Sequence, residues 1–174
     1  MKQLTLIRHA KSGHGHALLR DIDRPLNDRG LRDAPLLGRH LKKLPGFAPE
    51  ALITSPALRT RTTADLIRRE AGLDHLTPEE EPRIYEAPVA DLAAVLRDIP
   101  DKIGHAVLFG HNPGLENLSN WLCGQRVVSE LRTGGVVMLE LDLATWSEVR
   151  LGCGKLLTYF YPAQIGGGKA AHGD

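Results

Sequence analysis

Apolar residues gather in short runs separated by polar helical patterns. Leu4 to Ile7 is a strand-length run with β-branched content that stops abruptly at Arg8 and His9. Ala51-Leu52-Ile53-Thr54 reads as a second strand and Ala106 to Gly110 as a third, the most convincing buried run after the first. Val136 to Leu141 is another, and Thr145 to Gly152 and Leu156 to Tyr161 read as closing strands or extensions. Pro82-Arg83-Ile84-Tyr85 is expected to be a short strand after the polar connection Leu73 to Glu81.

Helical periodicity fills the gaps. Asn27 can cap a helix carrying Leu31, Ala34, Leu37, Leu41 and Leu44 on one face, which Pro35 should kink or restart. Ser55-Pro56 has the N-cap and first-turn signature of a helix over Ala57 to Ala71. Leu92, Val95, Leu96 and Ile99 mark a third helix; Leu115, Leu118, Trp121 and Leu122 mark a fourth. Strand and helix alternate with short connections, so the expected fold is α/β: a three-layer α/β/α sandwich around a mostly parallel sheet. One domain over residues 1–162 and a flexible Gly-rich tail over 163–174 are expected.

Composition narrows the function classes. The formal net charge of the 174 residues is +1, without the basic excess of a nucleic-acid binder. No apolar run approaches the roughly 20 residues of a membrane span, and the start of the chain lacks a signal pattern. A cytoplasmic protein with no nucleic-acid or membrane partner is expected, its two cysteines, Cys123 and Cys153, being reduced structural thiols. His14 and His16 lack the further ligands that a metal site needs and read as loop histidines.

In parallel strands the C-terminal ends share one edge, the edge where open α/β sheets bind ligands. Here that edge would gather Arg8 and His9 from one strand, Arg59 from the helix after the second, and His111 from just beyond the third. Taken singly, Arg8-His9 is also an ordinary solvated strand end, and Arg59 an ordinary surface helix residue. Together the arginines offer fork-shaped donors matched to phosphate oxygens. An imidazole among them can be neutral near pH 7 and attack with its lone pair. The neighbouring cations are expected to lower its pKa by repulsion. His105, before the third strand, lies at the opposite edge and reads as structural. Glu86 stands before a helix, either as a carboxylate that moves protons or as a favourable charge near a helix N-terminus.

Four stretches carry a family resemblance: Leu6-Ile7-Arg8-His9-Ala10; Asp23-Arg24-Pro25-Leu26 with Gly30; Ser55-Pro56-Ala57-Leu58-Arg59 running on to Ala64; and Leu108-Phe109-Gly110-His111-Asn112-Pro113. The chain resembles the histidine phosphatase superfamily, of phosphoglycerate-mutase-like fold, and within it the short SixA-like phosphohistidine phosphatases. The resemblance implies a phosphatase that needs no metal or other cofactor. His9 would accept the phosphoryl group, and Arg8, Arg59 and His111 would form the phosphate pocket. Larger relatives carry a proton-donating Asp or Glu on an inserted segment. Here no large cap insertion is present and Glu86 is the nearest candidate, with Asp21 and Asp23 behind it. A weak acid suits a phosphohistidine P–N bond, whose imidazole can be protonated before it leaves. The expected substrate is a phosphorylated, phosphohistidine-bearing signalling or phosphotransfer protein; a small phosphate ester is the alternative, and a non-catalytic phosphate-binding module the third reading.

Overall fold

The computed structural model describes residues 1–13 and 17–166. Six strands form one sheet: β1 (Lys2–Arg8), β2 (Ala51–Thr54), β3 (Glu79–Glu80), β4 (His105–Gly110), β5 (Val136–Leu141) and β6 (Gly154–Phe160). Their order is β3-β2-β4-β1-β5-β6. The first four are mutually parallel, and β5 and β6 close the sheet antiparallel. The central strands are apolar on both sides because both sides are covered. Leu4, Leu6 and Leu108 pack against α3 (Val89–Arg97) and α4 (Gly114–Cys123). Ile7, Val107 and Phe109 pack against α1 (Asp28–Lys42) and α2 (Leu58–Glu70). Alternation along β1 and β4 thus feeds two cores, and the sandwich has three layers.

Local chemistry explains most element ends. The Asn27 side chain accepts from Gly30 N at 2.9 Å and starts α1. A Cβ on Gly30 would lie 2.2 Å from the Lys11 carbonyl oxygen, so only glycine lets α1 approach the loop after β1. Pro35 does not restart the helix: α1 runs unbroken from Asp28 to Lys42, with Ala34, Leu37 and Leu41 fully buried on either side of the proline. Leu31, expected on that face, is 47% exposed.

Four other expectations change. Pro82–Ile84 is a 3-10 turn, capped by the Glu81 carboxylate, and the short strand lies just before it at Glu79–Glu80. Two glutamates give no apolar signal; β3 exists because β2 supplies a parallel partner. Trp146–Glu148 is likewise a 3-10 turn rather than a strand, held by a reciprocal Thr145–Glu148 cap over the fully buried Trp146. The helix after β2 begins at Leu58, and Ser55 is not its cap. At the C-terminal side, α5 spans Pro162–Ile165, so residues 163–165 belong to a helix, and residues 167–174 lie outside the described residues. Cys123 and Cys153 are free thiols. No helix among the described residues is long and apolar enough to cross a membrane.

Candidate active site

The C-terminal ends of β1, β2 and β4 meet at one edge, as parallel pairing requires, with Arg8 opposite Gly110 and Thr54 opposite Phe109. A cleft of about 390 Å³ opens there, lined by Arg8, His9, Arg59 and His111 together with Asp21 and Glu86. The four residues singled out from separate stretches of sequence therefore share one cavity.

His9 is 7% exposed. Its Nδ1 lies 2.7 Å from the Ala10 carbonyl oxygen, which can only accept, so Nδ1 carries the proton and Nε2 keeps its lone pair. The Ala10 amide donates to Thr63 Oγ1 at 3.0 Å, and the Thr63 hydroxyl donates to the Arg59 carbonyl at 2.7 Å, tying the loop after β1 to α2. The His9 pKa is lowered from 6.5 to about 3, mainly by burial, against the Ala10 hydrogen bond, with smaller repulsion from His111, Arg59 and Arg8. Cation repulsion, the cause expected from sequence, is therefore secondary to desolvation.

The His111 ring stands 5.4 Å from that of His9, centroid to centroid, at 59°. Its Nε2 lies 2.7 Å from Ser55 Oγ, and Nδ1 faces Arg59 Nη2 at 3.5 Å. Because Arg59 can only donate, Nδ1 is the unprotonated nitrogen and Nε2–H donates to Ser55. Burial first, then Arg59, lowers the His111 pKa to about 4, so it is neutral at pH 7 before an anion arrives.

Arg59, buried in the first turn of α2, donates to the Asp21 backbone oxygen at 2.7 Å and to Asp21 Oδ2 at 3.0 Å. Its Nε is buried and has no hydrogen-bond partner among the described residues. Arg8 Nη1 donates to the Leu131 carbonyl at 2.8 Å. Asn112 Nδ2 donates to the same carbonyl at 3.0 Å, and Glu116 accepts the Leu131 amide at 2.8 Å.

The three carboxylates weighed from sequence fall in different places. Asp21 accepts from the Tyr85 hydroxyl, Arg24 and Arg59, which hold its carboxyl well below the usual range and leave it no proton to give near neutrality. Asp23 is tied to Arg20 at 2.8 Å within its own loop. Glu86, exposed at the cleft wall, adopts φ +53°, a left-handed backbone uncommon for a residue with a Cβ. His105 is buried against Thr5 Oγ1 at 2.9 Å at the far edge, as expected. Among the described residues, no three His, Cys, Asp or Glu side chains form a metal-holding group; His14 and His16 lie outside those residues.

Three contributors were not singled out in the sequence. Ser55 carries a helix-start signature, yet its hydroxyl serves His111. Tyr85 packs edge-on against His111, ring centroids 5.5 Å apart, and grips Asp21. Thr133 lines the cleft from the turn before β5. Only Ser55, by its place at a strand end beside Arg59, carried a usable signal.

The arrangement provides one deeply held imidazole with a free lone pair, a second imidazole, and two guanidinium groups around a space that fits a tetrahedral anion. Comparison with known proteins places it. A structure of the protein histidine phosphatase SixA complexed with tungstate shares the fold at a TM-score of 0.78 and 22% identity, over 94% of this chain and 99% of that one. A mycobacterial glucosyl-3-phosphoglycerate phosphatase shares it at 0.68 and 15% identity, over 92% and 98%. An uncharacterized chloroplastic protein of Arabidopsis thaliana is 30% identical over 155 residues, 84% of this chain and 70% of that protein. The family profile of the histidine phosphatase superfamily, branch 1, matches residues 4–107, a span that includes His9 and Arg59 and ends just before His111. With more than half of its length matched and the same edge of its sheet furnished with these groups, the chain belongs to the histidine phosphatase superfamily, branch 1, and is a phosphatase.

Proposed function

We propose that this phosphatase works through a phosphohistidine intermediate on His9 and that its substrate is phosphohistidine on a phosphotransfer or signalling protein. One observation carries the first part: His9 is buried among cationic groups with Nδ1–H committed to the Ala10 carbonyl, so a neutral Nε2 lone pair is available to phosphorus at neutral pH. In the first step that lone pair forms the N–P bond while the bond from phosphorus to the leaving atom breaks. The electron pair goes to the leaving atom, which takes a proton from Glu86 or belongs to a ring already protonated at its other nitrogen and leaves as neutral imidazole. In the second step water attacks the phosphoryl group on His9, the N–P bond breaks, and phosphate leaves. The proton that water gives up returns to Glu86 where Glu86 donated in the first step, and otherwise leaves with the phosphate.

Arg8 and Arg59 would hold the non-bridging oxygens throughout. His111, with its pKa lowered to about 4, gains a proton at Nδ1 once a dianionic phosphate offsets the Arg59 charge, and then stabilises the transferring group. Neither step calls on a metal.

The substrate class rests on the weak acid. Glu86 is an exposed carboxylate, and no inserted segment covers it. A P–N bond to an imidazole breaks without a strong donor, whereas an alkyl ester needs one. A small phosphate ester is the second reading, favoured by the fold shared with the glucosyl-3-phosphoglycerate phosphatase. The test is a competition between phosphohistidine proteins and small esters with chelator present, beside phosphate trapping on His9. Faster turnover of phosphohistidine, with label on His9 and none in His9→Ala, supports the proposal. Faster ester turnover overturns the substrate, and an active His9→Ala overturns the intermediate.

A further inference from the structure

A second cleft, about 420 Å³, adjoins the first. Glu86, His111 and Asn112 line both, whereas His9, Arg8 and Arg59 line only the first. The volume lies within the range of small-ligand sites. Its wall is largely apolar, with Ile84 and Leu92 buried behind Pro88 and Pro113. Asn117, exposed in the first turn of α4, lines this cleft and not the first. Among the described residues Glu86 is the only Asp, Glu, Lys or Arg side chain in the lining, and His111, the other titratable group there, is neutral near pH 7. Glu86, between the two spaces, has a left-handed backbone, a strain that persists where surrounding structure imposes it.

We propose that this second cleft is the leaving-group subsite and selects for an uncharged or cationic nitrogen heterocycle, the imidazole of a phosphorylated histidine, against anionic leaving groups. The inference rests on the reading above and specifies what lies beyond phosphorus. In-line attack by His9 sends the leaving group to the side of phosphorus away from His9. The adjoining cavity opens off the phosphate cleft at Glu86, His111 and Asn112 and is not lined by His9, Arg8 or Arg59, as a space for the departing group requires. An imidazole leaves as the protonated or neutral ring, and a single carboxylate at the junction favours both its approach and its protonation. The same carboxylate, with no Lys or Arg facing it in this cleft, repels a leaving group that bears a carboxylate or a second phosphate. The apolar wall of Ile84, Leu92, Pro88 and Pro113 suits an aromatic ring.

The test compares three substrates on the full chain: inorganic phosphoramidate, whose ammonia leaving group needs no subsite; a phosphohistidine peptide; and 3-phosphoglycerate, whose leaving group is anionic. Asn117→Trp fills the second cleft from an exposed helix position. It is expected to lower kcat/KM for the phosphohistidine peptide at least tenfold and to leave phosphoramidate within about twofold. Asn117→Lys adds the missing cation and is expected to raise the 3-phosphoglycerate to phosphohistidine ratio at least fivefold. Undiminished phosphohistidine turnover in Asn117→Trp, an equal loss on phosphoramidate, or an unchanged ratio in Asn117→Lys overturns the subsite. Wild-type protein that cleaves phosphoramidate but no phosphohistidine peptide refutes the proposed substrate instead, and that result is read without either variant.

Discussion

Arg59 enters the cleft already committed to Asp21, through Nη1 to the backbone oxygen at 2.7 Å and Nη2 to Oδ2 at 3.0 Å. The contact aims the guanidinium, but it also sets a carboxylate against any phosphate that approaches the same cation. Tyr85 and Arg24 hold that carboxylate in place and ionised.

Asp21→Asn keeps an acceptor for Arg59 and removes the charge. The Asp21 side chain is 45% exposed, so solvent screens the effect to about 1 kcal/mol, roughly fivefold in affinity. Inorganic phosphate is expected to inhibit the variant at about one-fifth of the wild-type concentration. Weaker inhibition would show that aiming Arg59 outweighs the repulsion.

Ser55 is fully buried and accepts from His111 Nε2 at 2.7 Å. Ser55→Ala removes the 2.7 Å partner of the ring and leaves its N–H only the Thr60 hydroxyl at 3.5 Å. A fall in kcat of about 10- to 100-fold is expected, with KM changed far less, because the role proposed for the ring is to stabilise the transition state. Rapid-quench measurement of phospho-His9 formation is the check, and a variant that forms the intermediate at the wild-type rate would remove His111 from the chemistry.

Stability should fall in mild acid. The pKa of His9 is lowered to about 3 and those of His105 and His111 to about 4, each mainly by burial, from an ordinary 6.5. Between pH 6.5 and about 4 the unfolded chain binds protons that the folded protein refuses, so unfolding becomes easier as pH drops through that window. His9 alone accounts for about 2–3 kcal/mol at pH 4.5. The depressed Asp21 carboxylate acts in the same direction but only below its ordinary 3.8, outside this window. Thermal unfolding should show a lower Tm at pH 4.5 than at pH 7; an equal or higher Tm would place these rings in wetter surroundings.

Gly30→Ala should destabilise despite alanine's better helix propensity. Alanine gains about 1 kcal/mol in a helix, but its Cβ would fall 2.2 Å from a backbone oxygen that cannot move without shifting the loop after His9. A net loss of about 2 kcal/mol or more is expected from denaturant unfolding, together with reduced turnover. A stability gain would mean that α1 slides away freely.

The strands that build the site were legible because a strand buried on both faces is nearly all apolar, as Leu4–Ile7, with Thr5 its one polar residue, and Ala106–Phe109 are. Arg8, His9, Arg59 and His111 were legible because parallel strands place their ends together. Ser55 was read only in part: its hydroxyl does accept from Ala57 N at 3.2 Å where the helix begins, but its shorter contact, to His111, lies 56 residues further on. Tyr85 was hidden in a stretch with no clear periodicity, and β3 in a pair of glutamates. The cause of the low His9 pKa was misjudged because charges can be counted in a sequence, while burial depends on the assembled fold.

The Leu131 carbonyl accepts from both Arg8 and Asn112, and its amide is pinned by Glu116. A main-chain atom has no side-chain signature, yet here it acts as a keystone. The arginine at the end of one strand and the turn that follows the other histidine hang from the same peptide, so a shift of that peptide displaces both together and alters the spacing of the groups across the whole binding site in one movement.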